Sequence, residues 1–558
     1  MEAKEKELER LSHKKFIDWI SQDVPVSQML EVYRWQATDD GSVCILCGLI
    51  PNSKVKHVLS DFAWDLHIGN GLPGSVISYN GGKKEKVEYL RFGNNYGIEP
   101  LVFKRDFHGI KNNYMEISEE FRHFHNLYHD RTNNKYIAIS DSGNEEDVIL
   151  IEPNSIQIRL KEIKQFLAIK EMHLAIFFDC REYSQHLLQD LSISSKSTDV
   201  KNKLLSYNLA YGDSGGISGW KCFSRLCGKK LIPGFSKENS CFWGFAKEEP
   251  KKYVDFIRGI DKNGKEILYS SNPSGLSNSY FDKNPTTPDY LTPVFFKKEV
   301  LDKYYQQPNK YSVEDGYLRC SGLWGVQIDN HHRDKVIVWL GDLGRDLPYQ
   351  DQLHWRSYNI PPLGGVSETF FKRQILAQFA DTDQPDLVFK HKYENFQVAS
   401  QKKLGWYLFR PLSVEDSHFF DSLRIPANSD QKTFDEIILA LAKVLVDSLN
   451  EKQLNALIPK KDHKNIKGGI LILEQVLLEC EIKEYEQHIA FLRDLQSLRS
   501  SSAAHRKGKE YQKIIRKIGI DNTPLSKVCE KIFVQAIYLL DFLSDTVEKM
   551  NTPMDGRN

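Results

Sequence analysis

The sequence has 558 residues, of which 41% are hydrophobic, 11% aromatic and 27% charged, and its formal net charge is zero. This composition is ordinary for folded globular domains and excludes a wholly disordered chain. The zero net charge excludes a molecule that binds polyanions over its whole surface, so any nucleic-acid contact has to come from a local patch. The length predicts about three or four domains.

The cysteines and the apolar segments indicate a reduced, aqueous environment. The nine cysteines are dispersed and odd in number, which is typical of reduced cytosolic thiols and not of a disulfide framework. The first residues are charged and lack the apolar stretch of a signal peptide. No segment approaches the run of about 20 apolar residues that a membrane span needs. We therefore expect a soluble, cytoplasmic protein without a membrane partner.

The N-terminal region predicts a mixed domain of helices and strands. Residues 5–20 have the apolar spacing of a helix, and residues 29–79 consist of short apolar runs separated by turn residues, which is typical of hairpins. Further helices are expected at about 117–128 and 158–169. Together these elements predict an α+β domain that covers residues 1–191.

A polar, serine-rich segment at 192–203 predicts the boundary to a second α+β domain at 204–428. Within this second domain, residues 336–340 have the composition of a buried strand. The glycine-rich segment 341–348 that follows predicts a turn at the end of that strand.

The region after Pro426 changes to the apolar spacing of helices. Thr433 and Glu436 form a capping-box pattern that predicts a helix to about Leu454. Three further helices are predicted at about 469–480, 485–500 and 525–549. Four helices with short connections predict an antiparallel bundle over residues 429–552. The predicted fold class is a multidomain α+β protein, β-rich in its N-terminal and middle regions, with a C-terminal all-α bundle.

Two glycine-rich strings match known motifs only in their letters. Residues 69–74 have the spacing of a dinucleotide fingerprint, but a strand-like run at 76–79 follows where a helix would have to begin. Residues 212–216 spell the Gly-Asp-Ser-Gly-Gly of serine proteases, but the upstream histidine segment of those enzymes is absent from the sequence. Both strings are interpreted as turns.

Two pairs of metal-binding residue types have incomplete ligand sets. His125 and His129 lie four residues apart in a predicted helix, which can place both imidazoles on one face, but the string lacks the glutamate of a zinc protease. Cys44-x-x-Cys47 lies in an apolar, strand-like run without a second pair nearby. We expect partly buried histidines and buried thiols, with no metal and no other cofactor.

The residues that favour a specific chemistry lie at the end of the third bundle helix. Arg499 continues a helical stripe through Ile489 and Leu492, which predicts that its side chain points toward a seam of the bundle or an interface. His505 follows six residues later, about 120° from Arg499 on an unbroken helix. The serines at 500–502 can bond to the backbone and bend or end the helix, which would let the imidazole and the guanidinium converge.

The sign of the charge changes at the same place. Residues 474–494 contain six acidic and two basic residues, whereas residues 499–517 contain seven basic residues and one acidic residue. A basic segment beside a histidine suits a polyphosphate backbone. The bases that we expect to contact RNA without reading its sequence are Arg506, Lys507, Lys509 and Lys513. The alternative that stays open is a solvated basic face beside a structural histidine.

A C-terminal helical bundle that carries Arg499, five intervening residues and His505 resembles the HEPN superfamily, whose motif is an arginine followed after four to six residues by a histidine. The resemblance covers residues 429–552, and the string Leu498-Arg-Ser-Ser-Ser-Ala-Ala-His505 is similar to many bacterial members. It implies a metal-independent ribonuclease of toxin–antitoxin or phage-defence systems that acts as a homodimer, with two motifs in one site. It also implies that Arg499, Ser500 and His505 are the catalytic residues, although the family often has Asn, Asp or His where Ser500 stands.

The chemistry of these side chains fits RNA cleavage. His505 is the candidate general base or acid because imidazole titrates near neutral pH, and Arg499 is the candidate clamp for the extra negative charge on phosphorus. Attack of the 2′-hydroxyl on the adjacent phosphorus would leave a 2′,3′-cyclic phosphate and a 5′-hydroxyl. Because so small a motif gives little substrate selectivity, we interpret the remaining residues, 1–428, as a sensor or restraint that responds to a phage or cellular trigger.

Two alternatives to this ribonuclease stay open. The bundle can be a catalytically inactive HEPN module that dimerises or docks RNA. An unrecognised enzyme can instead lie in the N-terminal region and use Asp342, Arg345 and Asp346. The simpler interpretation of that trio is a turn with capping carboxylates and a structural ion pair.

Overall fold

The structure is a computed structural model, and the residues it describes are 2–60, 73–92, 97–215, 219–240, 250–277, 286–458, 467–503, 516 and 523–551. The chain divides into two compact units. The first comprises residues 1–140 and 144–251, and the second comprises residues 141–143 and 252–558. Strands dominate the first unit, and helices become dominant toward the C-terminus of the second.

The described part of the first unit is built on a ten-stranded antiparallel sheet, with two separate hairpins and five helices. The sheet has the strand order β12-β13-β14-β11-β2-β1-β10-β9-β8-β7, and the hairpins are β3–β4 and β5–β6. The strands are β1 (Met29–Thr38), β2 (Gly41–Pro51), β3 (Gly74–Asn80), β4 (Lys83–Leu90), β5 (Val102–Arg105), β6 (Tyr114–Ile117), β7 (Tyr128–Asp130), β8 (Lys135–Ile139), β9 (Glu145–Ile151), β10 (Ser155–Arg159), β11 (Met172–Ser184), β12 (Ser197–Lys201), β13 (Leu205–Asp213) and β14 (Cys222–Pro233). The helices are α1 (Glu2–Leu11), α2 (Lys14–Ser21), α3 (Val55–Ser60), α4 (Glu119–Phe124) and α5 (Leu160–Lys170).

Alternating side chains of this sheet contribute to two cores of the first unit. In β11, Leu174, Ile176 and Phe178 are buried in the larger core, and the residues between them are buried in a smaller core on the other face of the sheet. Helix α5 covers these strands with Ile163 and Phe166, which lie three residues apart on one side of the helix. The period of two in the strand and of three to four in the helix therefore explains how the two elements pack.

The first unit continues past the domain boundary that the sequence predicts at 192–203. Strand β14 pairs along β11 from Pro233 opposite His173 to Cys222 opposite Ser184, and β13 and β12 extend the same sheet. The serine-rich segment contains β12, an edge strand that is largely exposed and therefore polar. An exposed edge strand and a linker have similar compositions, which is why the segment has the sequence pattern of a boundary.

The second unit contains three small sheets and eleven described helices. The sheets have the orders β15–β16, β21–β17–β22 and β18–β19–β20. The strands are β15 (Asp255–Ile260), β16 (Glu266–Ser270), β17 (Pro293–Lys297), β18 (Tyr311–Glu314), β19 (Tyr317–Cys320), β20 (Trp324–Gln327), β21 (Lys335–Trp339) and β22 (Asn359–Ile360). The helices are α6 (Asp302–Tyr305), α7 (Leu340–Asp346), α8 (Tyr349–Ser357), α9 (Glu368–Gln374), α10 (Pro385–Leu404), α11 (Ser417–Asp421), α12 (Gln431–Ala442), α13 (Glu451–Ala456), α14 (Gly469–Glu479), α15 (Glu486–Ala503) and α16 (Leu525–Thr546).

An aromatic cluster forms the core of the sheet-containing part of this unit. Trp355 is fully buried, its ring lies 4.8 Å from that of Phe296, and its indole Nε1 donates to the Tyr304 hydroxyl at 2.8 Å. Tyr304 in turn donates to the buried carboxylate of Asp351 at 3.1 Å. The polar ends of both large rings are thus satisfied, which buried Trp and Tyr require.

The C-terminal helices share a second core that begins earlier than the predicted bundle start at residue 429. Helix α10 contributes Phe389, Tyr393 and Phe396, and it packs along α16 with the Phe389 ring 5.6 Å from that of Phe533. Helices α12, α14 and α15 complete this core. The helical body therefore includes α10.

The first predicted bundle helix has different ends from those expected. Its N-cap is Asp430, whose carboxylate accepts from the Thr433 backbone N–H at 2.8 Å, so the helix begins before the predicted capping box. A π-helical turn at Lys443–Asp447 then follows α12, and the chain resumes as the short helix α13. The expected continuous helix to Leu454 is thus interrupted.

The segment 341–348, predicted as a turn, forms most of helix α7. Its glycines are explained by close packing: a Cβ on Gly344 would lie 1.8 Å from the Ser271 carbonyl oxygen, and one on Gly341 would lie 2.3 Å from the Tyr290 ring. The glycine content that suggests a turn therefore reflects contacts that leave no room for a side chain.

Candidate functional site

Arg499 lies near the C-terminal end of α15, at the edge of the helix's buried face. That face is formed by His488, Ile489, Leu492, Leu495 and Leu498, all of them buried. The Arg499 side chain follows directly on this face and is 23% exposed, so it lies at the boundary between the buried face and the surface.

The guanidinium of Arg499 is bonded to the carboxylate of Asp447. Asp447 is the last residue of the π-helical turn, and its backbone carbonyl accepts a hydrogen bond from the Arg410 guanidinium at 2.9 Å. The Lys443 amine lies 4.0 Å from the same carboxylate. Turns of this type change the direction of the following side chains and are frequent at functional sites. The two helices thus bring together a carboxylate and a guanidinium that are far apart in sequence.

Ser500 is exposed, and its hydroxyl donates to the carbonyl of Gln496 at 2.9 Å. Ser497 makes the same type of bond to the Arg493 carbonyl at 2.8 Å. These bonds leave the helix intact, since α15 continues through Ser500 to Ala503. The helix end that the sequence allows at residues 500–502 is therefore wrong, and the alternative of a bend there stays a prediction.

The other predicted site residues lie outside the described residues. They are His505, Arg506, Lys507, Lys509 and Lys513. The convergence of His505 on Arg499 and the role of the basic segment therefore stay predictions.

Asp342, Arg345 and Asp346, the trio of the alternative enzyme, form a closed ion-pair network on α7. The buried Asp342 carboxylate accepts from the Tyr290 hydroxyl at 2.9 Å and lies 2.8 Å from the Arg345 guanidinium. Arg345 also donates two hydrogen bonds to Asp346, at 2.7 and 2.8 Å. Burial raises the pKa of Asp342, although Tyr290 and Arg345 oppose the shift. The contacts of the trio are those of a structural ion pair.

Neither the histidine pair nor the cysteine pair considered as metal ligands forms a metal site. Helix α4 ends at Phe124, so His125 and His129 do not share a helix face; His129 lies in β7. His125 instead bonds the Glu162 carbonyl at 2.9 Å. Cys44 and Cys47 are three residues apart on β2, which directs them to opposite faces of the sheet. Within the described part of the chain, no group of three or more His, Cys, Asp or Glu side chains is placed to hold a metal ion.

The second unit contains a buried polar network that was not predicted from the sequence. The His331 imidazole lies between Asp315, 2.6 Å from Nε2, and Asp329, 3.0 Å from Nδ1. Arg373 donates two hydrogen bonds of 2.9 Å to Asp315, and Asp329 accepts from the Ser367 backbone N–H at 2.6 Å. The only signal in the sequence is the polar run from Asp329 to Asp334, which resembles an ordinary loop.

The charges of this network are mutually stabilised. Burial alone would lower the pKa of His331, but its bonds to Asp315 and Asp329 outweigh burial and raise the pKa. Burial alone would raise the pKa of Asp315, but its bonds to His331 and Arg373 lower it to about 2. The pKa of Asp329 is lowered against the effect of burial for the same reason. The network therefore favours the protonated form of the His331 imidazole between two carboxylates and fastens α9 to the preceding loops.

Comparison of the chain with protein-family models, curated proteins and solved structures found no match. Functional argument therefore rests on the residues themselves. Among the described residues, no helix combines the length and apolar character required to cross a bilayer.

Proposed function

We propose that the chain is a metal-independent endoribonuclease of the HEPN type, with Arg499 and His505 as its catalytic pair. The observation that carries the proposal is the position of Arg499: a partly exposed side chain beside the buried face of α15, six residues before a histidine and followed in the sequence by a basic segment. The proposal also rests on the resemblance of the Arg499–His505 spacing, in a helical C-terminal region, to the HEPN motif.

In the proposed reaction, His505 accepts the proton of an RNA 2′-hydroxyl while that oxygen attacks the adjacent phosphorus. The bond from phosphorus to the 5′-oxygen breaks, and this oxygen takes up a proton from water or from a second imidazole. Arg499 would donate two hydrogen bonds to the phosphoryl oxygens, which carry additional negative charge in the transition state. The products are a 2′,3′-cyclic phosphate and a 5′-hydroxyl, and neither step requires a metal.

Asp447 has a positioning role in this proposal. Its carboxylate holds the Arg499 guanidinium in place before RNA binds, and a phosphate that enters the site competes for the same N–H groups. The strength of the ion pair then determines how readily Arg499 engages RNA. Asp447 itself does not touch the reacting atoms.

The resemblance to the HEPN superfamily also implies dimerisation and RNA binding, and the length of the preceding region suggests a restraining role. Two copies would dimerise through the helical body so that two motifs form one site, and Arg506, Lys507, Lys509 and Lys513 would bind the RNA backbone. The region before the bundle would restrain cleavage until a phage or cellular trigger is present.

The same ion pair also favours a second candidate function. A guanidinium engaged by a carboxylate is less available to a phosphate, which fits an inactive HEPN module that docks RNA or dimerises without cutting it. This candidate predicts RNA binding with no cleavage under any condition.

The test is incubation of the purified full chain with total RNA in EDTA, comparing wild type with Arg499→Ala and His505→Ala. Arg493→Ala is the matched control, because Arg493 lies on the same helix and pairs with Glu474 in the same way. We expect cleavage to fall about 100- to 1000-fold in both site variants and to persist in the control. Equal cleavage in all four proteins would refute the assignment, and binding without cleavage would favour the inactive module.

A further inference from the structure

A cavity of about 680 Å³ opens in the first unit, between the sheet and the elements α4 and β6. This volume lies within the range of about 300–1,000 Å³ that is usual for sites that bind small molecules. The residues that line it include aromatic rings from three strands, namely Tyr33, Trp35, Tyr114 and Tyr136. It is separate from the Arg499 region in the second unit.

Two of these rings present open faces. Trp35 is 57% exposed and Tyr114 is 48% exposed, although both line the cavity. The Tyr114 ring is fixed from behind by stacking on Phe107, at a centroid distance of 5.4 Å. Rings that are held in place but still accessible are the usual platforms on which a planar ligand stacks.

Two nitrogen atoms beside the Tyr136 ring lack a hydrogen-bond partner among the described residues. The His129 imidazole stacks on Tyr136 at 4.3 Å, and the Arg122 guanidinium lies 5.5 Å from the same ring. Both Nε2 of His129 and Nε of Arg122 are buried without a hydrogen-bond partner among the described residues. Buried polar groups are usually satisfied, so two orphaned nitrogens on one tyrosine ring indicate a missing ligand or solvent partner.

The Arg122 guanidinium also donates from Nη1 to the Tyr136 hydroxyl at 3.4 Å. Within the described ranges it forms no ion pair, although two carboxylates line the cavity. One of these, Glu116, pairs with Arg105 at 2.9 Å, and the other, Glu152, accepts from the Ser155 hydroxyl at 3.0 Å. A guanidinium in this position is suited to bind a phosphate or carboxylate group.

We propose that this cavity binds a free nucleotide, with the base stacked on Trp35 and the phosphate bound by Arg122. A nucleotide combines the planar ring and the anionic group that the two halves of the cavity accommodate. Burial, assisted by Arg131 and Arg122, lowers the pKa of His129, so its imidazole is neutral at pH 7 and can bond a base edge or a ribose hydroxyl. The inference goes beyond RNA cleavage and does not depend on it.

Calorimetric titration of the full-length protein with AMP, GMP, CMP and UMP tests the proposal, with adenosine and inorganic phosphate as partial ligands. We expect at least one nucleotide to bind with a micromolar to submillimolar Kd. Adenosine and phosphate alone should each bind at least about tenfold more weakly, because each engages only one half of the cavity.

Two variants and two matched controls locate the site. Trp35→Ala and Arg122→Gln should each weaken nucleotide binding by about ten- to a hundredfold. Tyr128→Ala removes a similarly exposed ring, and Arg181→Gln removes an arginine of the same sheet; neither residue lines the cavity, so affinity should be unchanged. The melting temperature of each variant separates loss of binding from loss of folding, and Arg122→Lys retains the charge if Arg122→Gln fails to fold.

Three results would overturn the proposal. The first is the absence of binding by all four nucleotides at millimolar concentration. The second is unchanged affinity in the folded Trp35 and Arg122 variants. The third is equal affinity for AMP and adenosine, which would show that no anionic group is recognised.

Discussion

The Arg499 guanidinium donates a hydrogen bond to the carboxylate of Asp447, a residue 52 positions earlier in the chain. The contact joins the end of α15 to the π-helical turn after α12. It gives the candidate catalytic arginine a defined position before any RNA is bound.

The first prediction concerns Asp447→Asn. Loss of the carboxylate leaves Arg499 less well oriented but more available to phosphate, so we expect kcat for RNA cleavage to fall about tenfold while KM falls or stays unchanged. The pair is partly exposed, so the free energy of unfolding should change by less than about 1 kcal/mol. Steady-state cleavage of a labelled RNA and urea unfolding measure the two effects.

The matched control for that variant is Glu474→Gln, which removes the partner of Arg493 on the same helix. It should leave both kcat and KM unchanged. Equal kinetic effects of the two substitutions would show that Asp447 has no special relation to the reaction.

The second prediction tests whether α10 belongs to the helical body. Phe389→Ala removes a fully buried ring between α10 and α16 and should lower the free energy of unfolding by about 3–5 kcal/mol. Val398→Ala on the same helix removes a side chain that is 68% exposed and should change it by less than about 0.5 kcal/mol. Chemical unfolding of the full chain checks both values. Similar small effects for the two variants would contradict the assignment of α10 to the core.

The third prediction concerns the pH dependence of the His331 network. The pKa of His331 is raised in the folded protein, so its contribution to stability is complete below the unfolded value of 6.5 and is lost as the pH rises through the folded pKa. The pKa of Asp315 is lowered from 3.8 to about 2, so its contribution is present above pH 3.8 and is lost as the pH falls toward 2. The network therefore stabilises most between about pH 4 and 6.5.

Urea unfolding of wild type and His331→Gln at pH 5 and pH 8 measures this dependence. The difference between the two proteins should be larger at pH 5 than at pH 8. His57→Gln, a substitution at an exposed histidine of α3, should show no such difference. A larger effect of His331→Gln at pH 8 would mean that the imidazole is not held as a cation.

The fourth prediction concerns the glycines of α7. Gly344→Ala would place a methyl group against the Ser271 carbonyl and should destabilise the protein by about 1–3 kcal/mol, even though alanine favours helices. Gly275→Ala, where no neighbouring atom of the described residues lies within 4 Å of the added Cβ, should be tolerated. Thermal unfolding distinguishes them, and a stabilising Gly344→Ala would show that the helix does not pack as described.

Elements with strong apolar periodicity could be predicted from the sequence, whereas those shaped by tertiary contact could not. Helices α14 and α16 begin at the predicted residues because their spacing of three and four is unbroken. Helix α10 was missed because its buried face includes Tyr393 and Ser400 among several lysines. Helix α7 was missed because its glycines, which pack against Tyr290 and Ser271, resemble those of a turn.

The candidate site, too, could be predicted from the sequence only in part. The sequence contains the reason to consider Arg499, namely its place at a helix end before a histidine and a basic segment. It contains no sign of Asp447, because only the folded helices bring the two residues together. The cavity beside Trp35 likewise depends on strands, a hairpin and a helix that are dispersed over more than a hundred residues of sequence.

The most direct test of the central claim is mass-spectrometric analysis of the RNA ends produced by the wild-type protein in EDTA, using an oligonucleotide that is cut at one position. The account predicts 2′,3′-cyclic phosphate and 5′-hydroxyl ends, and no cutting when the nucleotide before that position lacks its 2′-hydroxyl. Ends with a 3′-hydroxyl, or unchanged cutting of the 2′-deoxy substrate, would contradict the proposed chemistry of Arg499 and His505.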